Sequence, residues 1–296
     1  MHRAGLNGRN RMKKNGFRQR LIRRLLQSAA FLACNPFLAN FRGGKLYTGS
    51  WKRFCAPGLN CYSCPAATLS CPIGAMQAVG ASARFNFSFY VTGLLMTVGL
   101  VAGRAACAFL CPFGLLQELL HKIPSPKLHL PRLFRFVKYG ILLVFVLILP
   151  VCDTNFAGSG DPAFCMYICP AGTLEGGIPL IMTHPELRAV LGLLFSVKAA
   201  ILLAVLVLSV FVCRFFCRCL CPLGALYGLM NKISLTRLSV DQACCTHCGA
   251  CARVCPMELD PVRESQSAEC IRCFECAAAC PQKAVNVVTS FSRPQE

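Results

Sequence analysis

Eight cysteines near the C-terminal end of the chain form two runs of identical spacing. Each run reads Cys-x2-Cys-x2-Cys-x3-Cys-Pro, the first over residues 245–256 and the second over residues 270–281. In this doubled spacing three thiolates of a run wrap one [4Fe–4S] cluster, and the fourth cysteine binds the cluster of the other run. The spacing predicts one cluster on Cys245, Cys248, Cys251 and Cys280, and a second on Cys270, Cys273, Cys276 and Cys255. A structural zinc site is disfavoured, because zinc sites use separated Cys-x-x-Cys pairs.

Four further cysteines lie in a pattern that occurs twice. The stretches RAACAFLCPFG at 104–114 and RFFCRCLCPLG at 214–224 both begin with Arg and contain Cys-x3-Cys-Pro-x-Gly. Proline suits the first turn of a helix, so the second cysteine of each pair is expected at a helix start, where free N–H groups and the helix dipole favour a thiolate. The arginines would further offset the negative charge of a thiolate-held cluster. The pattern predicts an inner site on Cys107, Cys111, Cys217 and Cys221.

Two more Cys-Pro-x-Gly stretches, CPIGAMQ at 71–77 and CPAGTLE at 169–175, lie among cysteines that suffice for another cluster. The candidate ligands of this outer site are Cys61, Cys64, Cys71, Cys165 and Cys169. Three alternatives stay open: inert packing of buried cysteines, a disulfide among the outer cysteines, and a separate site in each half built from its inner and outer pairs. The pattern assigns no role to Cys34, Cys55, Cys152, Cys213, Cys219 and Cys244.

These motifs belong to a tandem duplication. Residues 104–123 and 214–233 are identical at ten of twenty aligned positions, more than chance produces in so short a window. Together with the looser pair at 71–77 and 169–175, the Cys-Pro stretches follow the order outer, inner, outer, inner. Each half is therefore predicted to consist of an outer Cys-Pro segment, a spanning helix and an inner Cys-Pro segment.

The composition indicates a membrane protein. The 296 residues are 55% hydrophobic and 15% charged, with a mean hydropathy of +0.53, which is poor in charge for a soluble chain. About four spanning helices are predicted, at 25–41, 85–103, 139–156 and 190–213. Basic residues before the first segment and between the second and third predict that both termini are cytoplasmic. The net charge of +19 does not indicate nucleic-acid binding, because no recognised DNA- or RNA-binding motif accompanies it.

The predicted fold is a mainly α membrane protein with a small C-terminal α+β domain. Its parts are a basic cytoplasmic segment over 1–24, the duplicated membrane domain over 25–233 and a two-cluster ferredoxin domain over 234–296. In the ferredoxin domain the stretches LSVD and AVNVV are predicted to form short strands. The predicted cofactors are two [4Fe–4S] clusters in this domain and one or two further iron–sulfur clusters in the membrane domain.

On these residues the chain resembles the polyferredoxin-like membrane proteins of the NapH, MauN and NosR type, which combine several spanning helices, two Cys-x3-Cys-Pro motifs and a double-cluster ferredoxin domain. The stretches GLNCYSCPAATLSCPIGAMQ, GDPAFCMYICPAGTLEGGIPL and CRCLCPLGALYGLMNKIS carry the resemblance beyond the motifs. It implies membrane electron transfer, and in some relatives quinol oxidation that feeds a reductase. The chain departs from the NosR type because it lacks an identifiable flavin-attachment domain, and its outer cysteines exceed what the NapH pattern requires.

The leading functional hypothesis is electron transfer between a cytoplasmic redox partner and an acceptor or donor in or beyond the membrane. A ferredoxin- or flavodoxin-like carrier, which is acidic, would be attracted by the basic inner surface; a membrane redox subunit is the other candidate partner. A stand-alone enzyme is disfavoured, because cluster ligands rather than acid–base residues carry the chemistry. Two alternatives stay open: a thiol–disulfide reductase acting through Cys61/Cys64 or Cys165/Cys169, and a quinol dehydrogenase subunit that uses quinone.

Overall fold

Helices make up most of the chain. The computed structural model describes residues 2–81, 89–152, 160–190 and 192–289. The α-helices are α1 (His2–Cys34), α2 (Asn40–Gly43), α3 (Pro72–Gly80), α4 (Phe89–Ala102), α5 (Ala105–Phe109), α6 (Pro112–Leu120), α7 (Val137–Ile141), α8 (Leu149–Cys152), α9 (Pro170–Gly172), α10 (Ile178–Thr183), α11 (Leu193–Phe211), α12 (Phe215–Cys219), α13 (Pro222–Met230), α14 (Ala250–Arg253) and α15 (Glu275–Ala279). Stretches of 3-10 helix cover Ser50–Arg53, Arg132–Phe136 and Pro185–Val190, and π-helix covers Leu142–Ile148, Phe164–Ile168 and Thr173–Gly177. The strands are β1 (Thr236–Val240) and β2 (Val285–Thr289).

Within the described residues, two helices are long and apolar enough to cross a membrane. They are the continuous helix Arg132–Cys152, of 21 residues, and α11, of 19 residues. Their most apolar stretches have mean hydropathies of 2.1 and 2.6, yet only 28% and 17% of these stretches is buried inside the protein. This exposure is typical of helices that face lipid, because the core helix of a soluble protein buries its apolar surface.

The other two predicted spanning segments differ from the expectation. The apolar helix α4 has 14 residues, and residues 85–88, predicted to precede it, lie outside the described part of the chain. The segment predicted at 25–41 is the end of α1, which stops at Cys34 because Pro36 disfavours helical backbone at the residue before it. Residues 153–156 and 191 of the remaining predicted segments also lie outside the described residues.

The two halves of the membrane domain repeat one order of elements, as the sequence predicts. An outer Cys-Pro helix, an apolar helix and an inner Cys-Pro helix follow one another as α3, α4 and α6, and again as α9, α11 and α13. Each Cys-Pro helix has proline in its first turn and is preceded by a cysteine with extended backbone, namely Cys71, Cys111, Cys169 and Cys221. The predicted position of these cysteines at helix starts is therefore confirmed.

The C-terminal domain is built on a two-stranded sheet. Strands β1 and β2 pair antiparallel, with Thr236 opposite Thr289 and Val240 opposite Val285. Both strands lie where LSVD and AVNVV predict them. Leu238 and Val285 pack with buried cysteines of both runs, so the sheet covers the cysteine-rich core of the domain.

Buried ion pairs hold this domain against the rest of the protein. Arg104 lies 3.0 Å from one oxygen of Glu269, and Lys138 pairs with the other oxygen. Burial opposes ionisation of Glu269, but Arg104 and Lys138 outweigh it and keep its pKa below the ordinary value. Removing one partner of such a network would leave an uncompensated buried charge, so the network restricts the domain to one docked position.

Helix α1 takes part in the same contact. Arg23 lies 2.5 Å from Glu118 of α6 and 2.7 Å from Glu275 of α15, and all three side chains are almost fully buried. Gln19 donates to the carbonyl of Cys273 at 3.1 Å. The helix passes unbroken through position 24, where the sequence predicts a domain boundary, and it packs on both the membrane domain and the C-terminal domain.

Candidate metal centres

The inner Cys-Pro pairs of the two halves meet at one place. The inner set consists of Cys107, Cys111, Cys217 and Cys221, whose thiols lie within electrostatic range of one another. No more than 7% of any of these residues is exposed. Burial, Cys217 and Cys107 raise the pKa of Cys111 to about 12, so a metal must displace protons from these thiols when it binds.

Two arginines cross between the halves at the inner set. The Nη2 atom of Arg104 donates to the carbonyl of Cys217 at 2.7 Å, and Nη1 of Arg214 donates to the carbonyl of Cys107 at 3.0 Å. Both side chains are fully buried. A Cβ atom at Gly224 would lie only 2.9 Å from Nη2 of Arg104, so this close approach requires glycine. Both arginines therefore lie close enough to the inner set for their positive charge to offset the negative charge of a cluster bound there.

Four of the five predicted outer cysteines form a second group, the outer set. Its members are Cys61, Cys71, Cys165 and Cys169, and every pair of them interacts electrostatically. Burial, Cys71 and Cys61 raise the pKa of Cys165 to about 12. The set lines a cavity of about 880 Å³, so the outer cysteines of the two halves meet separately from the inner ones. The alternative of one site per half does not match this placement.

Cys64 does not line the outer cavity. It packs with Ala66 and Ala67 in a small cluster that also contacts Cys61, whereas Cys55, which the sequence leaves without a role, does line the cavity. We expect Cys61→Ala to lower the iron content of the purified protein by about four atoms per chain and Cys64→Ala to leave it unchanged. Equal iron loss in both variants would contradict this division of the outer cysteines.

Lysines supply positive charge at the outer cavity, as arginines do at the inner set. Lys198 of α11 donates to the carbonyl of Cys165 at 3.2 Å, and the buried Lys52 donates to the carbonyl of Tyr62 at 2.8 Å. The described residues that line the cavity include Arg53 and no Asp or Glu. The sequence does not reveal this contact of Lys198, because its partner is a backbone atom of a distant segment.

The eight C-terminal cysteines separate into the two predicted groups. One cavity is lined by Cys245, Cys248, Cys251 and Cys280, and another by Cys255, Cys270, Cys273 and Cys276. We refer to these groups as ferredoxin set 1 and ferredoxin set 2. In each case the fourth cysteine of one run lies beside the three cysteines of the other run, which is the crossover that the spacing predicts.

One short segment lies between the inner and outer sets. The backbone N–H of Leu59 lies near the thiol of Cys111 and acts to lower its pKa, and the N–H of the next residue, Asn60, does the same for Cys71. The bridging segment 57–60 is held from the other side, because the hydroxyl of the buried Tyr227 donates to the carbonyl of Pro57 at 3.0 Å. Consecutive peptide groups therefore lie beside a cysteine of each set.

The inner set also lies beside ferredoxin set 2. The rings of Phe109, between Cys107 and Cys111, and Phe274, between Cys273 and Cys276, have centroids 6.1 Å apart. The guanidinium of Arg104 acts electrostatically on thiols of both sets. The four sets consequently lie in the order ferredoxin set 1, ferredoxin set 2, inner set, outer set.

Comparison with known proteins finds an iron–sulfur family that matches three parts of this chain. The family described as 4Fe-4S binding domain matches residues 85–131, 140–178 and 198–240, each of which contains one Cys-x3-Cys-Pro motif. The methylamine utilization ferredoxin-type protein MauN of Paracoccus denitrificans is 32% identical over 53% of this chain and 50% of its own length. These matches support a polyferredoxin-like protein of the NapH and MauN type. The match to an uncharacterised protein of Methanocaldococcus jannaschii is 28% identical over 62% of the chain and 66% of that protein.

These matches span between half and two thirds of the length of the curated relatives. No solved structure matches the chain. The matched family and the cysteine motifs support iron–sulfur binding by this chain.

The thiol sets of this protein match the ligands of a [4Fe–4S] cluster better than those of a single metal ion. Among the described residues, no three His, Cys, Asp or Glu side chains are placed to hold one metal ion. Tetrahedral zinc needs its thiolates around one centre at about 2.3 Å, whereas a [4Fe–4S] cluster binds its thiolates on separate iron atoms. Four thiols that converge but remain separate therefore match the ligands of a [4Fe–4S] cluster.

The remaining cysteines lie outside the four sets. None of the 23 cysteines forms a disulfide, so the outer disulfide alternative finds no match in the structure. Cys219 is buried beside Arg218, Cys213 is half-buried near Glu118, and Cys244 is exposed beside Asp241. Cys34 is half-buried and Cys152 is exposed.

Proposed function

We propose that this protein passes electrons through four [4Fe–4S] clusters between a cytoplasmic carrier at the ferredoxin domain and an acceptor or donor at the outer set. The observation that carries the proposal is the unbroken order of the four thiol sets. Ferredoxin sets 1 and 2 adjoin at Cys251 and Cys276, set 2 adjoins the inner set at the Phe109–Phe274 pair, and segment 57–60 joins the inner and outer sets. One-electron transfer needs closely spaced cofactors, which this order supplies.

The clusters, when bound, supply the one-electron chemistry, and the residues of the chain position and insulate them. Buried thiols provide the ligands, while the arginines at the inner set and the lysines at the outer cavity offset the negative charge of thiolate-held clusters. The aromatic and aliphatic residues around the inner set exclude water. These roles require no acid or base residue at the sets.

We also place the protein in a membrane, with several spanning helices and both termini cytoplasmic. The exposed apolar surface of Arg132–Cys152 and α11 supports the membrane placement. The orientation is supported by basic residues that flank these helices on the ferredoxin side. One of them is Arg132, which pairs with Glu264 of the ferredoxin domain. A ferredoxin- or flavodoxin-like carrier suits this basic face, because such carriers are acidic and a charge of +19 steers them to it.

The thiol–disulfide reductase alternative has less support. Of its reactive pair Cys61/Cys64, only Cys61 lines the outer cavity, while Cys64 is almost fully buried. Burial raises the pKa of Cys61 and Cys165, whereas thiol exchange needs an accessible thiolate. The outer thiols therefore suit metal binding better than exchange with a substrate.

Reduction through the ferredoxin domain tests the proposal. Full-length protein, purified and reconstituted into lipid vesicles without oxygen, receives reduced flavodoxin on the ferredoxin side, and the iron–sulfur absorbance is followed. We expect bleaching that corresponds to all four clusters. Bleaching that stops at about half of the cluster absorbance would overturn the proposal, since electrons would then remain within the ferredoxin domain.

A glycine substitution tests the path between the inner and outer sets. A Cβ atom at Gly58 would lie 3.1 Å from the Cα atom of Cys111 and 3.2 Å from the carbonyl of Leu110, so Gly58→Ala shifts the bridging segment. We expect unchanged iron content but slower bleaching of the last quarter of the absorbance. The matched control is Gly93→Ala, because nothing lies within 4 Å of a Cβ atom there. Identical kinetics in the two variants would exclude segment 57–60 as the path.

A further inference from the structure

A buried glutamine joins the two halves at each of the inner and outer sets. Gln117 follows Cys111 by six residues, Gln77 follows Cys71 by six residues, and both side chains are fully buried. The Nε2 atom of Gln117 donates to the sulfur of Cys217 at 3.2 Å, and that of Gln77 donates to the sulfur of Cys165 at 3.4 Å. In both cases the sulfur belongs to the other half of the protein.

Two further bonds determine the orientation of each amide. At the inner set, Oε1 of Gln117 accepts from the N–H of Phe216 at 3.0 Å, and Nε2 also donates to the carbonyl of Phe113 at 3.2 Å. Turning the amide over would place its N–H groups against the Phe216 N–H and its oxygen against the carbonyl and the sulfur. Hence a donor, rather than an acceptor, must face the sulfur.

The outer set repeats this arrangement with the corresponding atoms. Oε1 of Gln77 accepts from the N–H of Phe164 at 2.8 Å, and Nε2 donates to the carbonyl of Ile73 at 3.2 Å. Two sites with different surroundings thus use one device: the glutamine receives the N–H of the residue before a cysteine and donates to the sulfur of that cysteine. This recurrence indicates a role shared by both sites.

The second half does not supply the same donor. The residues six positions after Cys169 and Cys221 are Glu175 and Tyr227. Glu175 accepts from the N–H of Cys61 at 3.0 Å, and Tyr227 donates to a carbonyl of the bridging segment. Each site therefore receives its side-chain amide from the first half alone, on one of four candidate ligands.

We propose that Gln117 and Gln77 are positioning residues that set the reduction potentials of the inner and outer clusters by hydrogen-bonding one ligand sulfur of each. The inference rests on the proposed function. An N–H group aimed at a ligand sulfur stabilises the more negative, reduced cluster, and such hydrogen bonds are among the determinants of cluster potential. Loss of the bond therefore lowers the potential, which makes the cluster harder to reduce.

Redox titration of full-length, cluster-loaded protein, monitored by EPR, tests the inference. Gln117→Met keeps the length and burial of the side chain but removes the donor, so we expect unchanged iron and a lower potential for the inner cluster. The control is Gln27→Met. Gln27 is also fully buried at the inner set, but its Nε2 donates to the carbonyl of Cys111 at 3.2 Å and to no sulfur, so its substitution should leave the potential unchanged.

The outcomes separate the inference from the proposed function. An inner-cluster potential that is equal in Gln117→Met, Gln27→Met and the unmodified protein overturns the inference. Absence of an inner cluster from the unmodified protein overturns the proposed function instead. Should Gln117→Met lose inner iron, Gln77→Met carries the same test at the outer cluster, because Gln77 donates to the sulfur of Cys165: a lowered outer-cluster potential supports the inference, and an unchanged one overturns it.

Discussion

Replacing both Cys107 and Cys217 by alanine should remove about four iron atoms per chain, one quarter of the iron in a protein with four clusters. The two cysteines come from different halves, and each contributes one of the four thiols of the inner set. The fully buried Arg104 and Arg214 would then lack the anionic cluster whose charge they offset. We expect the ferredoxin clusters to remain, because their ligands lie in separate cavities.

The same double variant should also isolate the outer cluster from the ferredoxin domain. With the inner cluster gone, no cluster remains between ferredoxin set 2 and the outer set. A reductant that acts on the ferredoxin domain should therefore no longer reduce the outer cluster. The control is Cys219→Ala: Cys219 is equally buried, at 2% exposed, and lies two residues from Cys217, but it is not part of the set. Unchanged iron in Cys107→Ala/Cys217→Ala would remove the inner site from the account.

Glu269→Gln should release the ferredoxin domain from its docked position. The carboxylate pairs with Arg104 and Lys138, and its loss leaves two buried cations without their counter-ion. Breaking a buried ionic contact by removing one partner costs about 3–5 kcal/mol. We expect faster protease cleavage between the domains and slower reduction of the inner cluster, with iron in the ferredoxin sets retained.

A matched variant separates this effect from a general loss of charge. Glu264 lies in the same domain and pairs with Arg132, but the arginine side chain is 82% exposed, so Glu264→Gln should change stability by no more than about 1 kcal/mol. Equal protease sensitivity in the two variants would contradict the role given to Glu269.

Acid should act like Glu269→Gln. Because the folded-state pKa of Glu269 is depressed, its stabilising contribution is present above the ordinary carboxyl pKa and is lost as the pH falls through the depressed value.

The cysteine spacing could predict most of the thiol sets because their geometry follows from local rules. The crossover between the two C-terminal runs is built into the spacing, and a proline directly after a cysteine places that cysteine at a helix start. The inner set also followed from the repeat, since two copies of one motif in a duplicated fold lie across a pseudo-twofold axis. The members of the outer set were harder to predict, because Cys61 and Cys64 have similar local sequences. Only the folded loop shows that Cys61 lines the outer cavity and Cys64 does not.

Other features depend on contacts between distant segments. Nothing in CPIGAMQ shows that Gln77 meets a sulfur from the other half, and nothing around Lys198 shows that it meets the carbonyl of Cys165. The bridging segment has no motif, so the proximity of the inner and outer sets could not be predicted. Residues 25–34, predicted as part of a spanning segment, continue a helix whose Arg23 and Gln27 are buried against the protein, while Leu25 and Leu32 are exposed.

Anaerobic EPR with stepwise reduction, combined with iron and acid-labile sulfide analysis, tests the central claim most directly. It counts the clusters and reports which of them interact magnetically. The account predicts about 16 iron atoms per chain and four reducible clusters, with the inner cluster coupled to those on both sides. About eight iron atoms and two clusters, or zinc in place of iron, would contradict it.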